Sequence, residues 1–363
     1  MPEASGVPEA GGVPEASGVS GETTAPGPPE EAAEAATHIP VAATIAELRR
    51  IRGGWQGTTA VVMTMGALHE GHLNLVRRAR ELADHVLVTL FVNPLQFGPG
   101  EDLDRYPRDL AADLETLRGQ GVDLVFAPGQ EEMYPDGVPR VWVRSGRMGE
   151  VLEGAARPGH FDGVLTVVNK LLHLTSPDIA VFGQKDAQQL ALVRRMVADQ
   201  NLPVHIEAVP IAREDDGLAS SSRNAYLTPQ QRRIAPALGR AVRAGAEAAA
   251  DGQKAGQVRR AAQQVLTDAA AEAGDEESDE AGDGNRTESG NIDAGQSVSG
   301  NVNMLTMDYL QLVDEGTMEP VADQLDHGHA LLVLAARVGR TRLLDNAIVR
   351  WPASSDPQVG DER

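Results

Sequence analysis

The stretch His85-Val86-Leu87-Val88-Thr89-Leu90-Phe91-Val92 limits the fold more than any other part of the chain. It is apolar almost without a break, then stops at Asn93-Pro94-Leu95-Gln96-Phe97-Gly98, where Pro and Gly end regular structure. A strand with one wet face alternates apolar and polar residues. A strand covered on both faces has no reason to, and such strands belong to parallel sheets wrapped in helices. Similar short runs lie around it: Thr59-Ala60-Val61-Val62-Met63-Thr64, Val122 to Ala127, Ile179-Ala180-Val181-Phe182 and Val204 to Ile211. Between them the apolar spacing is helical, over Ile45 to Ile51, Leu73 to Arg80, Pro107 to Gly119, Val164 to Leu174 and Gln188 to Asp199. Strands alternating with helices predict an α/β fold, a Rossmann-like doubly wound parallel sheet over residues 39–227.

After Thr228-Pro229 the texture changes. Pro229 to Ala250 and Gln253 to Ala273 read as two Ala/Arg-rich helices. Met307-Asp308-Tyr309-Leu310-Gln311-Leu312-Val313 and Ala330-Leu331-Leu332-Val333-Leu334-Ala335-Ala336 read as strands of a smaller C-terminal α+β domain over 228–351. Three segments lack the apolar content to offset the entropy of ordering. They are 1–38, with the repeat Val7-Pro8-Glu9-Ala10-Gly11-Gly12 and Val13-Pro14-Glu15-Ala16-Ser17-Gly18; the acidic insertion 274–303; and the tail 352–363.

These segments also hold most of the charge. The chain is formally −21, yet residues 1–39 alone contain seven Glu and no Lys or Arg, and 274–303 contain eight acids against one Arg. The remaining body is only mildly acidic and offers no basic face to a long nucleic acid. The chain has no Cys, which removes disulfides, thiolate metal sites and cysteine nucleophiles. No signal peptide and no apolar run of about 18 residues is seen, so neither export nor a membrane span is expected.

Ligands of doubly wound sheets sit beyond the carboxyl ends of the strands, and four polar clusters fall there. Met65-Gly66-Ala67-Leu68-His69-Glu70-Gly71-His72 joins a strand to a helix, where free backbone amides and the helix dipole suit an anion. Its histidines serve equally as caps. Asn93 and Gln96 are neutral hydrogen-bonding groups. Gly183-Gln184-Lys185-Asp186 with Gln189 brings one cation, and Ser220-Ser221-Ser222-Arg223-Asn224 brings another. There is no G-x-x-x-x-G-K-[ST] loop and no G-x-G-x-x-G after a strand. A zincin would need its second histidine at 73, which is Leu73.

Together with Arg157-Pro158-Gly159-His160-Phe161-Asp162-Gly163-Val164, these motifs resemble, in order, those of the pantoate–β-alanine ligase family of the H-x-G-H nucleotidyltransferase superfamily, from about Ile39 to Val349. The resemblance implies ATP-dependent condensation of pantoate with β-alanine through a pantoyl adenylate, releasing AMP and pyrophosphate. It further implies Mg²⁺ with the ATP, a homodimer and a cytoplasmic location. ATP is then expected on Met65, Gly66, Ala67, Leu68, His69, Glu70, Gly71 and His72, on Gly183, Gln184, Lys185 and Asp186, and on Ala212 with Ser220, Ser221, Ser222 and Arg223. His72, with the family's proton-donor role, His69, Lys185, Arg223, Ser221 and Ser222 are the implied catalytic groups. Gln96 and Gln189 are the implied pantoate ligands, with Gln96 also near β-alanine; Asn93 assists the second step, and Asp113 is a candidate Mg²⁺ ligand. Met63, Ala212 and Ser220 depart from the family pattern without removing a charged group. Two rival readings are a nucleotidyltransferase acting on a phosphorylated alcohol and a non-catalytic nucleotide-binding protein. The neutral Asn93, Gln96 and Gln189 weigh against the first, and His72, Lys185 and Arg223 weigh against the second.

Overall fold

A computed structural model describes residues 38–283 and 304–352, with backbone alone over 274–283. The expectations for 1–37 and 353–363 lie outside the described residues. Six strands form one parallel sheet: β1 (Val41–Ala42), β2 (Thr59–Thr64), β3 (His85–Leu90), β4 (Leu124–Phe126), β5 (Ile179–Gly183) and β6 (His205–Val209), in the order β1-β4-β3-β2-β5-β6. Period-two alternation feeds both faces. Val61, Leu87, Ala180 and Phe182 enter one core, while Ala60, Val62, Val86, Val88, Leu90 and Val181 enter the other. The continuous apolar texture of these strands is thus explained by burial on both sides.

The helices flanking the sheet are α1 (Ile45–Arg52), α2 (Glu70–Leu82), α3 (Leu110–Leu117), α4 (Gln130–Met133), α5 (Glu153–Ala156), α6 (His160–Thr175) and α7 (Ala187–Asp199). Thr44 and Glu47 form a reciprocal capping box at the start of α1. Helix α3 begins at Leu110 rather than at Pro107, because the Asp109 side chain accepts from Ala112 N at 3.0 Å and is the cap. Helix α6 begins four residues before the expected Val164, after Gly159 in the left-handed region at φ 82°.

The stretch Pro229–Ala250, expected as one helix, is two: α8 (Pro229–Ile234) and α9 (Ala237–Ala250). Pro236 explains the break, since a proline inside a helix removes an N–H and clashes with the preceding turn. Helix α10 (Ala255–Asp283) continues through the first part of the expected flexible insertion, and residues 284–303 lie outside the described residues. Strands β7 (Leu305–Val313), β8 (His329–Val338) and β9 (Thr341–Arg350) make a separate antiparallel sheet. Two of its strands were expected and β9 was not. Strand β1 was also not foreseen; two residues are too few to show a period.

One face of the antiparallel sheet packs on α9 and α10 through Leu332, Leu334 and Ala336. The other meets Ala191 of α7 through Leu331 and Val333. Asn346 of β9 donates to Gln184 O at 3.0 Å, just past the carboxyl end of β5. Helix α6 is held close to the loop after β3 at Gly163. A Cβ built there meets Leu95 O at 2.2 Å and Gln96 N at 2.8 Å. Replacing Gly163 with Ala should destabilise the fold by about 1–3 kcal/mol through overpacking against backbone. Urea denaturation measures this, and an unchanged midpoint would show that the contact relaxes freely.

Candidate active site

Strand order reverses between β2 and β5, since β3 continues on one side of β2 and β5 starts the other. The crevice outside that reversal is where this architecture binds ligands. The turn after β2 enters it through Gly66 at φ 84° and Ala67 at φ 51°. Gly66 is also needed for space, because a Cβ there would come within 2.7 Å of Asp113 Oδ2. Asp113, the candidate Mg²⁺ ligand, stands behind this turn. Its carboxylate is buried and accepts from Ala67 N at 3.2 Å and Leu68 N at 2.9 Å. Both oxygens brace the turn from behind. Among the described residues no group of three or more His, Cys, Asp or Glu is placed to hold a metal ion.

His69 and His72 are caps and are also poised for a ligand. His69 is the N-cap of α2, and its Nδ1 accepts from Gly71 N at 3.1 Å. His72 Nδ1 accepts from His69 N at 3.3 Å, and the ring centroids lie 4.1 Å apart. A neutral imidazole that accepts at Nδ1 carries its proton on Nε2. The turn therefore presents two neutral N–H donors of fixed tautomer. Burial pushes His72 down to about 3, helped by His69 and Lys185, and His69 is lowered by burial and then by Lys185.

Lys185 and Asp186 sit on a short turn between β5 and α7, with the ammonium 3.9 Å from the carboxylate. Lys185, and beyond it Arg223, hold Asp186 below the usual carboxylate range. Gly183 ends β5, paired with Val209 of β6. Arg223 arrives on a loop closed at its base, where Ser220 N donates to Ala212 O at 2.8 Å. Ser221 then caps the turn Ser222–Tyr226 by accepting from Arg223 N at 3.3 Å, and Ser222 is the first residue of that turn.

Lys185, Asp186, Gln189 and Arg223 line one cavity of about 780 Å³. Ser221 joins Lys185 and Arg223 in a small recess beside it. His69, His72, Asn93 and Gln96 do not line the cavity itself, although the charges of Lys185 and Asp186 act on both histidines. Asn93 is buried, and its amide is fully occupied. Its Nδ2 donates to Gln96 Oε1 at 3.1 Å and Gly163 O at 3.2 Å, and its Oδ1 accepts from Tyr134 Oη at 2.9 Å. It orients Gln96 and has no free group for a substrate.

Two cavity residues lay inside a quoted motif without a role. His160 donates from Nδ1 to Gln96 O at 2.8 Å and accepts at Nε2 from Arg157 Nη1 at 3.1 Å, while Arg157 is paired with Glu101. The helix-starting Gly159 beside them was the available signal. No residue of the far wall was expected from the sequence as a site residue. Tyr309, Arg337, Arg342, Asp345 and Asn346 of the antiparallel sheet face the cavity. Arg342 pairs with the buried Glu153 at 2.6 Å, and Tyr309 Oη donates to the same carboxylate at 2.9 Å.

The lowered histidines predict an acid response. A base whose pKa is depressed on folding contributes stability that is complete above its ordinary value of 6.5 and lost as pH falls toward the folded value. For His72 that window runs from 6.5 to about 3, and for His160, lowered by burial and by Arg157, to about 4. The urea midpoint should fall between about pH 7 and pH 4, and fall less in His72→Gln than in the parent chain. Equal falls would remove His72 as a contributor.

Comparison with known proteins shows the family. Residues 40–348 match the family model described as pantoate-beta-alanine ligase. A pantothenate synthetase of Salinispora arenicola is 53% identical over 307 residues, covering 85% of this chain and 96% of the relative. The crystal structure of pantothenate synthetase from Thermus thermophilus superposes with TM-score 0.72 at 43% identity, over 86% of this chain and all (100%) of that one. A pantoate-beta-alanine ligase of Francisella tularensis, crystallised in complex with beta-gamma ATP and beta-alanine, gives TM-score 0.63 at 28% identity, over 86% of this chain and 98% of its own. By fold and by these matches, the chain belongs to the pantoate-beta-alanine ligase family.

Proposed function

We propose that this chain condenses pantoate with β-alanine at the expense of ATP. The observation that supports it most is one cavity beyond the strand reversal that combines Lys185 and Arg223 with the neutral Gln189. In the first step the pantoate carboxylate attacks the α-phosphorus of ATP, the bond to the β-phosphate oxygen breaks, and pyrophosphate leaves. In the second the β-alanine amine attacks the acyl carbon of pantoyl adenylate. AMP departs with the acyl-oxygen electrons, and the amine gives up its proton to solvent. Adenylation is needed because a free carboxylate is a poor electrophile.

The chain's own contribution is positioning and charge. Lys185 and Arg223, with Ser221 and Ser222, spread the negative charge of the transferring phosphate. Gln189 and Gln96 hold pantoate through neutral amides. Burial, with His69 and Lys185 beside it, lowers the pKa of His72 and favours its neutral form. His72 therefore acts through its Nε2–H as a fixed donor to phosphate, with His69 beside it, rather than as a ready acid. An approaching polyanion would raise both values. Among the described residues no group of three or more His, Cys, Asp or Glu is placed to hold Mg²⁺, and the ion would enter with the nucleotide substrate.

The same reading gives residues 39–227 the catalytic groups and 228–351 the opposing wall. It carries with it a cytoplasmic location and a homodimer, and sedimentation of the purified chain tests the second. For the reaction, the test is an assay with each substrate omitted in turn. Pyrophosphate release should require ATP and pantoate, and pantothenate should appear only when β-alanine is added. Release with a phosphorylated alcohol and none with pantoate would overturn the proposal. Lys185→Ala should slow adenylate formation by on the order of a hundredfold or more, as loss of a transition-state charge partner does. A parental rate would exclude Lys185 from that role.

A further inference from the structure

Two adjacent residues of β9 grip the two loops that carry the cations. Asp345 and Asn346 are both buried, at 2% and 5% exposure. The Asp345 carboxylate takes a bidentate pair from Arg213, at 2.7 and 2.9 Å. Arg213 also donates to Gly217 O at 3.0 Å, and its backbone bridges Ala219, so it fastens the base of the loop that leads to Ser221 and Arg223. Asn346 faces the other loop. Its Nδ2 donates to Gln184 O at 3.0 Å and to Lys185 O at 2.9 Å. The turn it holds, Gln184–Asp186, has no side-chain cap of its own. Asn346 N in turn donates to Asp345 Oδ1 at 2.7 Å, which ties the Asp345 carboxylate to the backbone of its neighbour.

The chemistry selects an amide. A neutral NH₂ group donates twice without bringing charge to a site already rich in it. An aspartate would set a carboxylate against two carbonyl oxygens, and an alanine would leave the turn unheld. A strand of the antiparallel sheet therefore spans both cation loops of the parallel sheet.

We infer that Asn346 is a positioning residue for the adenylation step, holding the Lys185 turn at the height from which its ammonium meets the reacting phosphate. The inference rests on the role given to Lys185 above. Displacement of such a group by about 1 Å typically costs on the order of a hundredfold in rate.

The test is a double-mutant cycle on the full chain, read by pantoate-dependent exchange of labelled pyrophosphate into ATP, which isolates the first step. Asn346→Ala should lower the exchange rate at saturating ATP and pantoate by roughly ten- to a hundredfold while leaving KM for pantoate within about twofold. In a Lys185→Ala background the same change should cost less than about threefold, because the group it positions is gone. Asn346→Asp, which keeps the side-chain volume, runs through the same cycle if the alanine variant does not fold. An equal cost in both backgrounds, or a loss confined to KM, overturns the positioning role. A parental exchange rate in Lys185→Ala alone defeats the reading of Lys185 itself, and this inference with it.

Discussion

Strands β2, β3 and β5 are covered on both faces, and that constraint governs the rest of the molecule. Because no face is left for water, helices must lie on both sides, and each connection must carry the chain back to the same end of the sheet. All the strand-to-helix corners then fall at one edge. The order β1-β4-β3-β2-β5-β6 opens that edge between β2 and β5. The turn bearing His69 and the turn bearing Lys185 leave from those two strands, so two sequence-distant corners face one crevice.

Within the crevice, hydrogen bonding between backbone and side chain decides what the residues can do. Buried amides must find acceptors. At the start of α2 they find imidazole nitrogens, which fixes both histidines as neutral Nε2–H donors. At the bend before it they find Asp113. Capping and ligand binding are often weighed as rival explanations for polar residues at a helix start. Here the cap uses Nδ1 of each ring and leaves the opposite nitrogen out of the capping contact, so the two explanations do not exclude each other.

The antiparallel sheet contributes more than a cover. Its ion pairs Arg213–Asp345 and Arg342–Glu153 are largely shielded from water. Pairs of that kind add little net stability once desolvation is counted, but losing one partner leaves a stranded charge, so they enforce one arrangement. They join the ends of the parallel-sheet loops to β9 and set the distance across the cavity.

The layered fold, the polar clusters at the strand ends and the reaction class they resemble were all legible along the chain. Strand texture and corner chemistry are local properties, readable from neighbouring residues. That Asn93 and Asp113 spend their polar atoms on the protein was not legible, since a side chain's partners 46 or 70 residues away are invisible to spacing. Nor was β9, whose Arg342, Asp345 and Asn346 interrupt the apolar pattern of a strand because they face a site rather than a core. Which polar groups remain free for a ligand was settled in three dimensions alone, because that depends on which others have already been satisfied by folding.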